Sequence, residues 1–171
     1  HARTARPEAQ DAYLKGRYYW NKRSEEGFKK ALEYFQKATD KDPNYAPAYA
    51  GLADTYGLLP IYNLAPAKES FPKAKAAARR ALALDDGLAE PHASLGWIAF
   101  RYEWDWASAD NEFRRATALK PSYATAHHWY ALYLSEMNRH EEALAEIHRA
   151  LELDPLSVPI TATVGTVLFQ A

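Results

Sequence analysis

Small and apolar residues recur along the chain at helical spacing. Ala31, Phe35 and Ala38 stand four and three positions apart, which places them on one stripe of a helix. The same stripe returns as Ala74, Ala78 and Ala81, as Ala109, Phe113 and Ala116, and as Ala143, Ile147 and Ala150. No segment sustains the alternation of apolar and polar residues that marks a half-buried strand. The pattern therefore predicts an all-α protein.

A second sequence motif repeats between these stripes and marks where helices end. Its four copies align without gaps at residues 38–53, 81–96, 116–131 and 150–165, so that their starts are 43, 35 and 34 residues apart. Pro43, Pro121 and Pro155 stand in three of the copies, and proline cannot continue a preceding helix because it lacks the backbone N–H. Each copy therefore closes one helix and opens the next, which predicts a repeated helical hairpin.

These patterns predict nine helices in one domain that covers residues 8–171. The helices are expected at residues 8–22, 25–41, 45–58, 69–84, 88–101, 105–118, 122–136, 140–152 and 156–170. They form four hairpins at about residues 8–43, 44–86, 87–121 and 122–155, followed by an unpaired helix within residues 156–171. Residues 1–7 are expected to be disordered or derived from a tag, because the chain begins with His1 and is interpreted as an excised piece of a longer protein.

Two segments interrupt the regular spacing. Residues 57–69 form an insertion that is rich in apolar side chains and is expected to fold back onto the rim of the stack. Further along, Asp105 is predicted to be the N-cap of the next helix. Its neighbours Trp104 and Trp106 are expected to pack between adjacent hairpins.

The repeated positions resemble the signature of the tetratricopeptide repeat, which combines large residues and Gly on a first helix with Ala, Phe, Ala and Pro on a second. One copy carries Tyr49, Leu52, Ala53, Tyr56, Ala74, Ala78 and Ala81, and the next carries His92, Leu95, Gly96, Ala99, Ala109, Phe113, Ala116 and Pro121. The resemblance implies a right-handed superhelix of antiparallel hairpins, about four and a half repeats long, with a concave face lined by the first helices. Residues 13–23, 49–54, 94–98 and 124–134 also resemble repeat regions of bacterial multidomain transcriptional regulators, cyclases and kinases.

The composition is that of a globular protein without a marked charge. Of the 171 residues, 48% are hydrophobic and 25% are charged, and the formal net charge is -1. A near-neutral chain offers no electrostatic basis for binding nucleic acid or an anionic membrane. The absence of Cys excludes disulfides, thiolate zinc sites and Cys nucleophiles. No apolar run approaches the roughly 20 residues of a membrane span and no export signal is visible, so the cytoplasm is the expected compartment.

Neither metal binding nor catalysis is predicted. His127 and His128 are adjacent, so their side chains point about 100° apart on a helix. His140 and His148 stand eight positions apart, whereas a helical zinc motif uses a spacing of four. No Ser–His–Asp order, Gly-rich phosphate loop or pair of catalytic acids stands out. We therefore expect no metal, no cofactor and no enzymatic activity.

Helical register selects the residues expected to face the concave groove. They are Tyr13, Arg17, Trp20, Asp54, Trp97, Phe100, Arg101, His128, Leu132 and Ser135. Aromatic and Arg side chains are common anchors of protein interfaces, so we expect the groove to bind a protein or peptide segment. The resemblance places this activity in the sensor or regulatory part of a larger bacterial regulator.

Two alternative functions stay open. The first is self-association into a homodimer through Val164, Leu168 and Phe169, because the last helix has no partner helix and yet is apolar. The second is a small-ligand sensor whose pocket lies under the insertion at residues 57–69.

Overall fold

The computed structural model describes residues 6–170, and these form nine α-helices and one π-helical turn without any strand. In chain order they are α1 (Pro7–Trp20), α2 (Glu25–Lys41), α3 (Ala46–Leu58), α4 (Ala67–Leu84), α5 (Ala89–Ile98), the π-helical turn (Ala99–Glu103), α6 (Trp106–Leu119), α7 (Ala124–Glu136), α8 (His140–Leu153) and α9 (Val158–Gln170). The expectation of disorder or a tag concerned residues 1–7, of which residues 1–5 lie outside the described range. Arg6 is the N-cap residue of α1, and Pro7 is the first residue of that helix.

The helices pair as hairpins in chain order. The pairs are α1 with α2, α3 with α4, α5 with α6 and α7 with α8, while α9 packs against both helices of the last pair. Each hairpin also contacts the next one, so that the core runs along the stack instead of forming one centre. This arrangement confirms the predicted all-α hairpin fold.

The stripe read from the sequence is the buried face of each second helix. Its members are fully buried, with 0% of their surface exposed. They are Ala31, Phe35, Ala38, Ala74, Ala78, Ala81, Ala109, Phe113, Ala116, Ala143, Ile147 and Ala150. Small residues at two of the three places let neighbouring helices approach closely. Phe35, Phe113 and Ile147 fill the space at the middle place of three stripes, where the remaining stripe has Ala78.

Phe35 lies between α1 and α3 and leaves no room for a side chain at the two glycines that face it. A Cβ atom added to either Gly16 or Gly51 would lie 2.5 Å from the Phe35 ring. Gly96 has the same relation to Phe113, where the distance would be 3.0 Å. These glycines are therefore required by the close approach of the helices.

Side-chain caps fix the starts of two second helices. Ser24 accepts a hydrogen bond from the backbone N–H of Gly27 at 3.0 Å, and Asp105 accepts one from the N–H of Ser108 at 3.1 Å. Each cap satisfies a backbone donor that the first turn of a helix leaves free. The prediction that Asp105 is an N-cap is confirmed.

The segment after α5 differs from the single helix predicted over residues 88–101. The α-helix ends at Ile98, and the π-helical turn that follows stops at Trp104, which adopts the left-handed conformation with φ 56°. Trp104 is 72% exposed, so the expectation that it packs between hairpins is wrong. The left-handed residue ends the helix and carries its own side chain off the packed face. Trp106 is 43% exposed, and its ring contact, with centroids 6.4 Å apart, is with Phe100 of the same hairpin.

The insertion between α3 and α4 folds back onto the first hairpin. The Tyr62 ring meets Phe28 edge-on, with centroids 5.0 Å apart. Leu58 is buried and Leu64 packs against the core, while Ile61 stays exposed. The insertion thereby places Tyr62 near the inner surface of the stack.

Burial separates the helices into two layers. Most residues of α3, α5 and α7 are buried, because neighbouring first helices and their own second helices cover them. The second helices bury mainly the stripe described above and expose the opposite face. First helices therefore form the inner layer and second helices the outer one. Within residues 6–170, no helix combines the length and the apolar character needed to cross a bilayer.

Candidate functional site

A buried polar network crosses the inner layer and centres on Asp54. Arg17 donates to Asp54 Oδ2 at 2.6 Å, and the Ser94 hydroxyl donates to Asp54 Oδ1 at 2.5 Å. The Tyr123 hydroxyl lies 3.5 Å from Asp54 Oδ2, and Arg17 Nε donates to the Tyr13 hydroxyl at 3.1 Å. These residues come from α1, α3, α5 and the residue before α7, so one carboxylate links all four hairpins.

Burial sets the charge behaviour of this network. Asp54 is fully buried, which raises the pKa of its carboxyl group, and Arg17 and Ser94 only partly offset that effect. Burial alone lowers the pKa of Arg17, but Asp54 and nearby tyrosines hold it well above its usual value. Burial and the Asp54 charge also raise the pKa of Tyr123 well above the usual value. One terminal nitrogen of Arg17 is buried without a hydrogen-bond partner in the described structure.

An aromatic cluster fills the middle of the inner layer. Trp97 stacks on Trp129 with ring centroids 4.9 Å apart and donates its indole N–H to the Gly57 carbonyl at 3.0 Å. Phe100 meets Tyr133 edge-on, with centroids 5.5 Å apart. Trp97 and Phe100 are only 3% and 2% exposed. Both were predicted as partner anchors, and the structure gives them packing contacts that join neighbouring hairpins.

Three other predicted residues, Arg101, Leu132 and Ser135, lie at the edge of this cluster. Arg101 covers Phe100, with its guanidinium carbon 4.3 Å from the ring centroid, and forms an ion pair with Glu136 at 3.0 Å. Leu132 packs against the core, and the Ser135 hydroxyl donates to Gln170 on α9. These three side chains are partly or fully engaged within the chain.

An open cavity of about 750 Å³ lies where the first hairpin faces the last helix across the inner surface. Its walls include Trp20 and Arg23 from the first hairpin, Tyr62 from the insertion, Thr125 and His128 from α7, and Val158 and Ile160 from α9. The cavity therefore combines aromatic, cationic and apolar side chains from both ends of the stack. Its size is that of a ligand pocket in proteins generally.

His128 is held neutral at one side of the cavity. Its Nε2 lies 2.8 Å from Thr163 Oγ1, and the Thr163 hydroxyl itself donates to the Pro159 carbonyl at 3.0 Å. Because that hydroxyl proton is already used, Nε2 carries the proton and donates to Thr163. Burial, together with the charge of Arg23, lowers the pKa of His128 to about 4.

Comparison with known proteins places the chain among helical repeat proteins. No protein-family model matches it. Over 95% of its length it superposes on a thermophilic TPR protein of Thermus thermophilus, with a TM-score of 0.71, 20% identity and 82% of that chain covered. PilW, a type IV pilus biogenesis factor, superposes over 96% of the chain and 70% of its own, with a TM-score of 0.66 and 19% identity. The chain has the tetratricopeptide-repeat (TPR) fold.

A curated protein also resembles the chain in sequence. Over 143 residues, which is 84% of the chain, it is 27% identical to the transcriptional regulator HilA of Salmonella typhimurium. HilA of Salmonella typhi gives the same values. The chain spans about a quarter, 26%, of the length of these regulators.

The TPR fold accounts for where the predicted site residues lie. Tyr13, Arg17 and Asp54 meet in the polar network, whereas Trp20 and His128 line the cavity. The other five predicted residues lie in or around the aromatic cluster or beside α9. They are Trp97, Phe100, Arg101, Leu132 and Ser135. The role of these ten residues in partner binding stays a prediction. The open cavity of the TPR groove lies beside Trp20 and His128.

Sequence reasoning missed several residues of the cavity. Arg23 follows the first TPR helix in a turn and adopts the left-handed conformation with φ 51°, so helical register says nothing about its direction. Val158 and Ile160 belong to α9, which lies opposite the first hairpin only because the TPR stack curves. The adjacent cations at Lys22 and Arg23, next to Trp20, were the one local signal.

Two further histidines of the TPR stack, His92 and His127, have partners of their own. His92 Nδ1 lies 2.6 Å from Glu112, and His127 pairs with Glu146 and with the Pro121 carbonyl. Among residues 6–170, no group of three or more potential metal ligands comes together. A metal-free function stays the prediction.

Proposed function

We propose that this chain is a protein-binding module that takes a segment of another protein in the concave side of its TPR superhelix. The observation that carries the proposal is the open cavity of about 750 Å³ bounded by Trp20, Arg23 and Tyr62 on one side and by α9 on the other. Aromatic and Arg side chains are enriched at the anchor points of protein interfaces. The module acts by binding and not by catalysis.

The likeness to HilA supports a place in a larger regulator. The matched region is about a quarter, 26%, of that transcriptional regulator, so the chain corresponds to one part of it. We propose that the TPR stack is the partner-sensing part of a bacterial regulator and that it works in the cytoplasm. In that arrangement, occupation of the groove is the signal and another domain gives the response.

A selection of peptides from a random phage library against the purified chain tests the binding function. The selected peptides are then titrated by fluorescence anisotropy against the wild type, against a double variant Tyr62→Ser and Val158→Asp, and against a control Arg115→Met. Tyr62 and Val158 are exposed at the cavity, and Arg115 is exposed on the outer helix α6. We expect binding to weaken at least tenfold in the double variant only. Equal binding to all three proteins would contradict a groove function.

Self-association is the second candidate, and a specific observation favours it. On α9, Phe169 is 93% exposed and Leu168 is 55% exposed, while Val164 is half-buried and packs against the core. Large apolar side chains in such numbers at a helix surface mark contact sites. Under this alternative, sedimentation equilibrium gives a dimer for the wild type and a monomer for Leu168→Ser with Phe169→Ser. A wild-type monomer over the whole concentration range refutes it.

A further inference from the structure

Arg23 is a cation at the cavity wall, and the carboxylate that acts on its charge, Asp54, lies beyond ion-pair distance and is already paired with Arg17. Among residues 6–170, its guanidinium group has no ion pair and no side-chain hydrogen bond, and its recorded contact is with the Trp20 ring. Arg17 and Arg101 of the inner layer are paired with Asp54 and Glu136. Among the described residues, Lys22 and Arg23 at the cavity wall have no such ion pair, and Arg23 is the less exposed of the two.

The stacking contact with the Trp20 ring orients the guanidinium group of Arg23. The guanidinium carbon lies 3.7 Å from the centre of the Trp20 ring, a distance at which the flat group covers the ring face. A stacked guanidinium keeps its N–H donors at its edge, where they are free to bind both oxygens of a carboxylate. The indole N–H of Trp20 is itself buried without an acceptor in the described structure. Both residues of this stacked pair therefore have N–H donors that no described residue uses.

The surroundings of Arg23 favour an anion. Lys22 and Arg23 contribute two positive charges to the cavity wall and Asp154 contributes one negative charge, while His128 is neutral at neutral pH. Asp154 is exposed and lies beyond ion-pair distance of both cations. The first residues of α9 also line the cavity, so the positive end of that helix faces it.

We infer that the cavity binds a carboxylate side chain of the partner segment, with Arg23 as its counter-ion and with apolar neighbours of that side chain against Tyr62, Val158 and Ile160. The assignment rests on the proposed function and names the chemistry of its ligand: an acidic residue flanked by apolar ones. Arg23 follows the first helix, so the helical register that selected the groove residues does not include it.

The inference is tested with two capped peptides that differ only in one side-chain group, acetyl-Leu-Glu-Leu-amide and acetyl-Leu-Gln-Leu-amide, and with free glutarate. Nuclear magnetic resonance of the 15N-labelled chain follows the Arg23 Nε–H and the Trp20 Nε1–H signals during titration. We expect the Glu peptide to shift both signals and to bind at least tenfold more tightly than the Gln peptide. Glutarate, which lacks the apolar neighbours, is expected to bind more weakly than the Glu peptide.

Three variants test separately the charge of Arg23, the geometry of its guanidinium group and its position in the cavity. Arg23→Met is expected to reduce binding of the Glu peptide at least tenfold, and Arg23→Lys, which keeps the charge but not the two-pronged geometry, to reduce it less. Arg115→Met, the same change on the outer surface, is expected to leave it unchanged. The fold of each variant is checked by the dispersion of its amide signals.

Equal binding of the Glu and Gln peptides would overturn the inference. A glutarate affinity as high as that of the Glu peptide would also overturn it, because it would assign the site to a small acid. If phage-selected peptides bind the groove but ignore Arg23→Met, the carboxylate site fails and the binding function stands. If the Glu peptide shifts the Arg23 signal but no selected peptide binds the groove, the carboxylate site stands and the binding function fails.

Discussion

Among single residues, Asp54 joins partners from three other hairpins. It accepts hydrogen bonds from Arg17 and Ser94, and Tyr123 approaches the same oxygen that Arg17 holds. A buried ion pair adds little net stability compared with an apolar pair, but removal of one partner leaves the other charge buried alone. Asp54 is therefore important because its loss would leave the charge of Arg17 buried without a counter-ion.

Replacement of Asp54 by Asn is expected to lower the free energy of unfolding by roughly 3–5 kcal/mol, because the buried Arg17 loses its counter-ion. Urea denaturation followed by circular dichroism measures the change. Asp11→Asn, at an exposed pair with Lys15, serves as the control and should change little. The joint change Arg17→Met and Asp54→Leu should regain most of the loss, and a double variant as unstable as Asp54→Asn would contradict the explanation.

His128 is expected to make the protein sensitive to mild acid. Its pKa falls from 6.5 to about 4 on folding, so the unfolded chain takes up the proton first as the pH falls. The stability that His128 contributes is complete above pH 6.5 and is lost between pH 6.5 and about pH 4, up to about 3 kcal/mol. Arg23, on the turn after α1, strengthens the effect.

The measurement is the difference in unfolding free energy between the wild type and His128→Gln at several pH values. A Gln amide can still donate to Thr163, and it does not titrate. The difference between the two proteins cancels the contribution of carboxylates that titrate in the same range. A difference that stays constant from pH 7 to pH 4 would show that His128 is not the group responsible.

The sequence predicted which side chains face inward but not which ones pair. Arg17 and Asp54 were both expected on the inner surface from helical register. Their ion pair joins positions 37 apart, and it depends on how two hairpins stack, which register does not describe. Arg23 escaped prediction for a different reason, because its direction is set by a left-handed turn.

At the level of helices, close packing at small residues decides the geometry of the stack. The Phe35 ring fills the space between α1 and α3 because Gly16 and Gly51 leave it free. The stripes of Ala and Phe that produce this contact were visible in the sequence. The π-helical turn was not, because it lies at the end of its helix and few helical residues follow it in which a shifted apolar spacing could be seen.

Gly51→Ala is expected to lower the free energy of unfolding by about 1–2 kcal/mol. The added methyl group would lie 2.5 Å from the buried Phe35 ring, and this overlap outweighs the gain in helix propensity. Gly165→Ala on α9 is the matched control, because a Cβ atom there meets nothing within 4 Å. It should raise stability by about 0.5–1 kcal/mol in the same urea assay. Changes of the same sign in both variants would contradict this account.

Over the whole molecule, contacts across the inner surface join hairpins that are not neighbours in sequence. Asp54 belongs to the second hairpin and approaches Tyr123 at the start of the fourth, and the first hairpin shares a cavity with α9. Repeat stacks are usually held by contacts between adjacent units alone. The repeat spacing predicted a superhelix. The curvature of that superhelix depends on small rotations between successive hairpins, and no local sequence pattern predicts their sum.

Hydrogen exchange should show this coupling between distant hairpins. In Asp54→Asn, the backbone amides of α1, α5 and the start of α7 are expected to lose protection together with those of α3, as measured by mass spectrometry. In Gly51→Ala, the loss should stay within α1, α2 and α3, where Phe35 makes its contacts. Loss confined to α3 in both variants would show that the hairpins are stabilised pairwise.

The shared cavity between the first hairpin and α9 also affects how the molecule responds to force. A repeat superhelix in which only neighbouring repeats are in contact extends gradually under force, because each interface between repeats deforms slightly. A segment bound between Trp20 and Val158 would tie the first coil to the last, so that extension has to begin by breaking that tie. If the proposed segment binds there, we expect the occupied superhelix to resist extension until that contact breaks.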